Sequence, residues 1–385
     1  MVGYLDEAQV EIVAVGYLRD LGYEYIHGPQ IAPDGETPER ADYGQVVLVG
    51  RLRRALERIN PEVPPEAIEE AIRRVTRPES PSLVVNNRAF HRLLVDGVDL
   101  SWMEDGRERH GKVWLVERDP ARSEANEFLV VNQFTVVEDG RNRRPDVVVF
   151  VNGLPVAVIE LKNPAEEKTT VRHAFNQIQT YKSDIPSLFA FNETIVISDG
   201  FAAKIGTLTA GWDRYMPWRT ADGEGLASTG EVQLDVLIRG VFEKERFLDY
   251  ILNFITFEDD GKSIVKKGAA YHQYWAVNKA VETTVEASRP DGDRRAGVIW
   301  HTQGSGKSLS MVFYTGKLVL TLNNPTIVVV TDRNDLDEQL YSTFSKSTDL
   351  LRQSPKQAES RAHLRELLSV ESGGIIFTTV HKFTP

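Results

Sequence analysis

Between Arg144 and Lys162 the chain reads RPDVVVFVNGLPVAVIELK, which brings an aspartate, a glutamate and a lysine into one short apolar stretch. Asp146 and Glu160 are hard oxygen donors. Mg²⁺ binds one or two such carboxylates, keeps several waters and takes further oxygens from a phosphate substrate. A cation held there polarises a phosphodiester and acidifies a bound water, and Lys162 is placed to orient that water or to offset developing negative charge. The competing reading is an exposed Glu-x-Lys ion pair, with Asp146 merely opening a strand. The flanks argue against it, because residues 147–151 and 156–159 are too apolar for a solvated face, and charged groups that end hydrophobic strands usually mark a site.

The elements must position those three groups. Both flanks are β-branched and aliphatic and are joined by Asn152-Gly153, a strong hairpin signal. Strand side chains alternate, so Glu160 and Lys162 share a face while Leu161 points the other way. Register decides whether Asp146 joins them. A two-residue loop pairs Asp146 with Ile159 and puts the two carboxylates on opposite faces. A three-residue loop over 151–153, with Gly153 left-handed, pairs Asp146 with Val158 and leaves Glu160 diagonal to it, about 7–8 Å away. The chemistry therefore predicts that bulged loop, or an equivalent bulge elsewhere in the hairpin.

A second constellation is AGVIWHTQGSGKS at 296–308. Residues 297–300 read as a short buried strand, 301–307 as a glycine loop, and 308–320 as a helix. Strand, glycine loop, Lys-Ser and helix make the arrangement in which backbone N–H groups and a helix N-terminus cradle phosphates. Lys307 reaches the β- and γ-phosphates in such loops and Ser308 holds Mg²⁺. The strict pattern asks for glycine where this chain has His301.

On these residues the first constellation resembles the PD-(D/E)xK nucleases. After it comes TVRHAFNQIQTY at 170–181, with Gln177 and Tyr181 four apart on one helical face. This is similar to the Q-x-x-x-Y element of the RecB-like branch and of type I restriction subunits, where the pair helps to position DNA and catalytic residues. The resemblance also implies an acidic residue from an N-terminal helix, here Glu11 on a helix over about 5–21 ending at Gly22. The second constellation resembles motif I of superfamily 2 helicases, Thr302-Gln303-Gly304-Ser305-Gly306-Lys307-Ser308, which tolerates His301. By the same resemblance Gln273 recognises adenine, 326–333 is motif Ia, and 375–383 is the next DNA-contacting motif. The acidic motif II expected after Phe383 is not reached before Pro385, so a truncated motor lobe is expected.

Taken together, the chain is identified as resembling the N-terminal part of a type I restriction enzyme's restriction subunit. That implies an α/β fold: a PD-(D/E)xK domain with a mixed sheet over 1–257, a linker over 258–268, and a partial RecA-like lobe with a parallel sheet over 269–385. It also implies double-stranded DNA as substrate, Mg²⁺ and ATP as cofactors, and modification and specificity subunits as partners. A standalone repair helicase-nuclease and an ATP-responsive DNA-binding scaffold are the alternatives.

Composition bounds these readings. With 385 residues there is length for two cores. The absence of cysteine excludes disulfides and thiolate metal sites. No apolar run reaches membrane-spanning length, so a soluble, cytoplasmic protein is expected. The net charge of −11 divides into −14 over residues 1–265 and +3 over 266–385. A local groove rather than the total then decides phosphate binding; Lys162, Lys168, Arg172 and Lys182 are its candidate cations.

Overall fold

The computed structural model describes residues 7–162, 170–332 and 334–383, with the side chains of 334–336 left aside. The chain divides into two compact units, Met1–Leu252 and Asn253–Pro385. Both are α/β, the first built on a six-stranded mixed sheet and the second on a small parallel one.

The first unit opens with helix α1 (Glu7–Asp20), followed by strand β1 (Glu24–His27) and helix α2 (Val49–Ile59). The sheet continues with β2 (Phe128–Asn132), β3 (Val147–Val151) and β4 (Leu154–Leu161). After helix α3 (Val171–Asp184) come β5 (Thr194–Ser198) and β6 (Ala203–Gly206). The strands lie in the order β1-β2-β3-β4-β5-β6. β1 with β2 and β4 with β5 are parallel; the other pairs are antiparallel. Every residue of β3 and β4 is buried, as expected of central strands covered on both faces. Helix α3 packs on β4 and β5 with a buried face of Val171, Ala174, Phe175, Ile178 and Tyr181, and Thr170 caps its first turn.

The hairpin takes the second of the two expected forms: the three-residue loop is absent, and an equivalent bulge lies elsewhere in the hairpin. Asn152 and Gly153 both have positive φ, 52° and 78°, so the loop has two residues and pairs Val151 with Leu154. The bulge lies further along: Phe150 pairs with Pro155 but Val149 with Ala157, leaving Val156 unpaired. One extra residue on β4 shifts all later pairs, so Val147 faces Ile159 and the next position, Asp146, stands opposite Glu160. The carboxylates reach one face by a bulge on the opposite side of the loop from the one the sequence suggested.

The turn itself is buried. Asn152 accepts from the Glu127 N–H (2.7 Å) and donates to the Leu115 carbonyl and Asn126 Oδ1 (2.9 Å each). Gly153 gives its carbonyl to the Leu48 N–H at 2.9 Å. A Cβ at Gly153 would stand 2.5 Å from the Leu48 oxygen, which is why only glycine fits.

In the second unit β7 (Ile255–Asp259) and β8 (Ile264–Gly268) pair antiparallel. The expected linker over 258–268 is therefore the turn and second strand of a hairpin. Its polar tip is Asp260-Gly261, with Gly261 at φ 78°, and Lys267 pairs with Glu258 at 2.6 Å. Helix α4 (Tyr271–Ser288) packs against α5 (Lys307–Thr321). A parallel sheet of β9 (Ile327–Thr331), β10 (Lys356–Gln357) and β11 (Ile375–Thr379) follows, ordered β9-β11-β10.

Residues 297–300 do not form the expected buried strand. Val298 is 93 % and Trp300 89 % exposed, and among the described residues no strand pairs with this segment. A strand needs a neighbour to take its N–H and C=O groups, and apolar composition alone does not supply one. No described helix is long and apolar enough to cross a membrane.

Candidate functional site

In the first unit α1, the end of β2, the start of β3 and α3 enclose a cleft of about 910 Å³. Its lining includes Glu11, Asp146, Gln177 and Tyr181. Glu160, opposite Asp146, lies deeper and is fully buried (0 %). Lys162 leaves the end of β4 and joins Glu160 Oε1 at 3.0 Å and Glu7 Oε1 at 2.9 Å. The sequence-predicted nuclease residues thus converge on one end of the sheet.

Burial sets their electrostatics. Loss of water raises Asp146 to about 7, against the Leu161 N–H (2.7 Å to Oδ2) and Lys162, which favour its charged form. Burial, followed by the neighbouring Asp146, pushes Glu160 well above the usual carboxylate range. Burial opposes the charge on Lys162, but Glu160, Glu7 and Asp146 outweigh it and hold the ammonium above the usual lysine range.

A hard divalent cation fits these groups. Glu160 Oε2 is buried with no hydrogen-bond donor among the described residues, an expensive state that a metal–oxygen bond would relieve. No group of three or more His, Cys, Asp or Glu side chains gathers as a metal site among the described residues, but Mg²⁺ asks for only one or two carboxylates. Asp146 and Glu160 are that pair.

Around them, Gln177 donates to the Tyr181 hydroxyl, and that hydroxyl donates to the Arg144 carbonyl at 3.4 Å. Burial raises the Tyr181 phenol, with Glu160 adding to the effect, so the group stays protonated. Glu11 is buried; Asn132 donates to its Oε1 at 2.5 Å and Gln133 to its Oε2. Gln133, at φ 53°, also gives its backbone N–H to the Asp146 carbonyl at 3.0 Å. Asn132, Gln133 and Glu7 were missed from the sequence. A polar Asn-Gln pair ending the apolar run FLVV was the available signal.

Two proposed DNA contacts are otherwise engaged. Lys182 donates to the Leu208 carbonyl at 2.6 Å, and burial lowers it to about 8. Arg172 stacks over Phe175 and Trp212, 5.1 and 4.7 Å from the ring centroids. Lys168 lies outside the described residues.

In the second unit, Gly304 and Gly306 take φ of 81° and 84°, which turns the loop into the N-terminus of α5. Thr302, Gln303, Gly304, Gly306 and Lys307 are exposed, with Ser305 and Ser308 half-buried. Lys307 folds back onto the carbonyls of His301 (3.0 Å) and Thr302 (3.2 Å). Gln273 caps α4 through the Ala270 N–H (2.9 Å) and donates to the Gly306 carbonyl (3.0 Å) and Ser310 Oγ (3.3 Å). Its amide is thus committed to bracing the loop. Burial, His272 and Lys307 together lower His301 beside the glycine loop.

Comparison with known proteins accords with this division. Residues 272–385 match the SWI2/SNF2 ATPase family. The HindI type I restriction enzyme endonuclease subunit of Haemophilus influenzae is 44 % identical over 98 % of this chain and 36 % of its own length. A putative type I restriction enzyme endonuclease subunit of Methanocaldococcus jannaschii, MjaIXP, is 37 % identical over 97 % of this chain and 37 % of its own. The chain thus spans little more than a third of these relatives. Residues 4–214 match the N-terminal region of type I restriction enzyme R proteins, more than half of the chain, and the chain belongs to that family.

Proposed function

We propose that this chain carries the Mg²⁺-dependent DNA nuclease and the beginning of the ATP-driven double-stranded DNA translocase of a type I restriction enzyme, working with modification and specificity subunits. The observation that carries the reading is the pairing of two buried carboxylates on one face, one with an oxygen unpartnered among the described residues, beside a half-buried ammonium. Such a set is costly for folding and is explained by a cation it exists to hold.

Asp146 and Glu160 would bind Mg²⁺, which when present polarises the scissile phosphate and acidifies a water. Lys162 holds its proton throughout and donates to the water or a phosphate oxygen, offsetting charge as it develops. Gln177 fixes the Tyr181 hydroxyl, and Tyr181 braces the backbone just before Asp146. Glu11, held at both oxygens, adds a fixed negative charge on the cleft wall. In the second unit the exposed amides of residues 303–307 and the Lys307 ammonium would take the ATP phosphates, with Ser308 toward Mg²⁺ and Gln273 steadying the loop.

The test compares a reconstituted full-length complex with its Asp146→Ala and Lys162→Ala variants at matched ATPase activity. Cleavage is expected to fall at least 100-fold with ATP turnover retained; parental cutting by both variants would refute the assignment.

A further inference from the structure

Five charged side chains line the cleft: Glu7, Glu11, Asp146, Arg143 and Arg144. Glu11 and Asp146 are buried, and Glu7 holds Lys162. Arg143 is neutralised by Asp184, at 2.7 Å from its Nε. A DNA backbone must therefore bring anionic phosphates past side chains with excess negative charge; Mg²⁺ would meet the phosphate that is cut, and the one beside it is left to a cation of the protein.

Arg144 is that cation. It is exposed, lines the cleft and lies two residues before Asp146. Among the described residues no hydrogen bond or ion pair engages its guanidinium, although three carboxylates share the lining. Its backbone is held firmly: Tyr181 donates to its carbonyl at 3.4 Å and the following Pro145 is buried. An arginine with a fixed backbone and a free five-donor fork suits bidentate capture of a phosphate. Across the cleft, α3 presents the exposed Asn176, and Asn142 precedes the arginine pair; among the described residues neither amide has a side-chain hydrogen bond, so both can donate to the same backbone.

Resting on the nuclease reading above, we infer that Arg144 is the substrate-positioning residue of this cleft, gripping a phosphodiester next to the one that is cut. The ligand is the sugar-phosphate backbone, read without regard to base sequence. Of the four cations named from the sequence, Lys168 lies outside the described residues and the other three are engaged: Lys182 is half-buried on the Leu208 carbonyl, Arg172 is stacked on aromatic rings, and Lys162 is bound between two glutamates.

The experiment titrates a short labelled duplex with the 385-residue chain, using Ca²⁺ in place of Mg²⁺, over a series of salt concentrations. Parent, Arg144→Ala and Arg144→Lys are compared, so that DNA binding elsewhere on the chain cancels. Arg144→Ala is expected to bind about tenfold more weakly, with a log–log salt slope shallower by about 0.9. Arg144→Lys should keep the slope while losing part of the affinity, because it keeps the charge and loses the fork. Parental affinity and slope in Arg144→Ala would overturn the inference. In the reconstituted complex, normal cutting by Asp146→Ala would sink the nuclease reading itself. Normal cutting by Arg144→Ala, with Asp146→Ala inactive, would remove only the clamp.

Discussion

At the residue scale, chemistry is concentrated in groups that burial has shifted, and the shifts have consequences for pH. Lys182 is lowered to about 8 by burial, whereas in the unfolded chain it titrates near the ordinary lysine value of about 10.4. Between those values the unfolded chain binds the extra proton, so this group's contribution to stability rises with pH across the window and is lost on the acid side. Urea unfolding of the parent and of Lys182→Met from pH 7 to 10.5 is expected to show it. The difference, parent minus variant, should be flat below about 8 and grow in the parent's favour above it; a flat difference throughout would mean Lys182 titrates normally. That Asp146, Glu160, Lys162, Gln177 and Tyr181 belong to one candidate site was legible because their types and spacing are chemically unusual. Their hydrogen-bond partners were not: Asn132 is 121 residues from Glu11, and sequence spacing carries no information about such contacts.

At the scale of elements, one hairpin does most of the positioning. Its turn is a buried anchor rather than an exposed loop tip, since Asn152 bonds to chain segments near Leu115 and Asn126 and Gly153 meets Leu48. Gly153→Ala combines a left-handed backbone with a Cβ placed against the Leu48 carbonyl. It is expected to cost about 2 kcal/mol or more, measured by chemical denaturation. A cost within about 0.5 kcal/mol, ordinary for a surface site, would show that the turn relaxes freely. Strands and helices were readable from periodicity and caps, including residues 194–198 and the helix over 171–184. The position of the bulge was not, because an extra residue at Val156 or in the loop restores the same face for Asp146 and Glu160. The two solutions differ in register: the loop bulge would leave Glu160 diagonal to Asp146, whereas the bulge at Val156 sets it directly opposite. The exposed segment 297–300 failed as a strand for the complementary reason that strand formation depends on a neighbour the local pattern does not reveal.

At the scale of the whole molecule, the chain folds as two units with different charge, and each holds one candidate site. Nucleotide should then stabilise only the second. In calorimetry of the chain, a non-hydrolysable ATP analogue with Mg²⁺ is expected to raise one transition and leave the other in place. Lys307→Ala should abolish that rise, because the ammonium is the main cation of the exposed loop. A single transition that moves as a whole would instead mean that the units unfold together. Family membership and the order of the two constellations were contained in the sequence alone, because motif residues are set by the chemistry of phosphate and metal and must appear wherever that chemistry is done. The sequence also determined the apolar runs and the glycines that make the turns. Only the tertiary structure decided that the 258–268 stretch closes a hairpin, that the bulge falls at Val156, that Lys182 is half-buried on the Leu208 carbonyl while the Arg144 guanidinium has no partner among the described residues, and that Asn132 and Gln133 hold Glu11. Each of these depends on which distant surface a side chain meets, and that is settled when the whole core packs, not by any local stretch of residues.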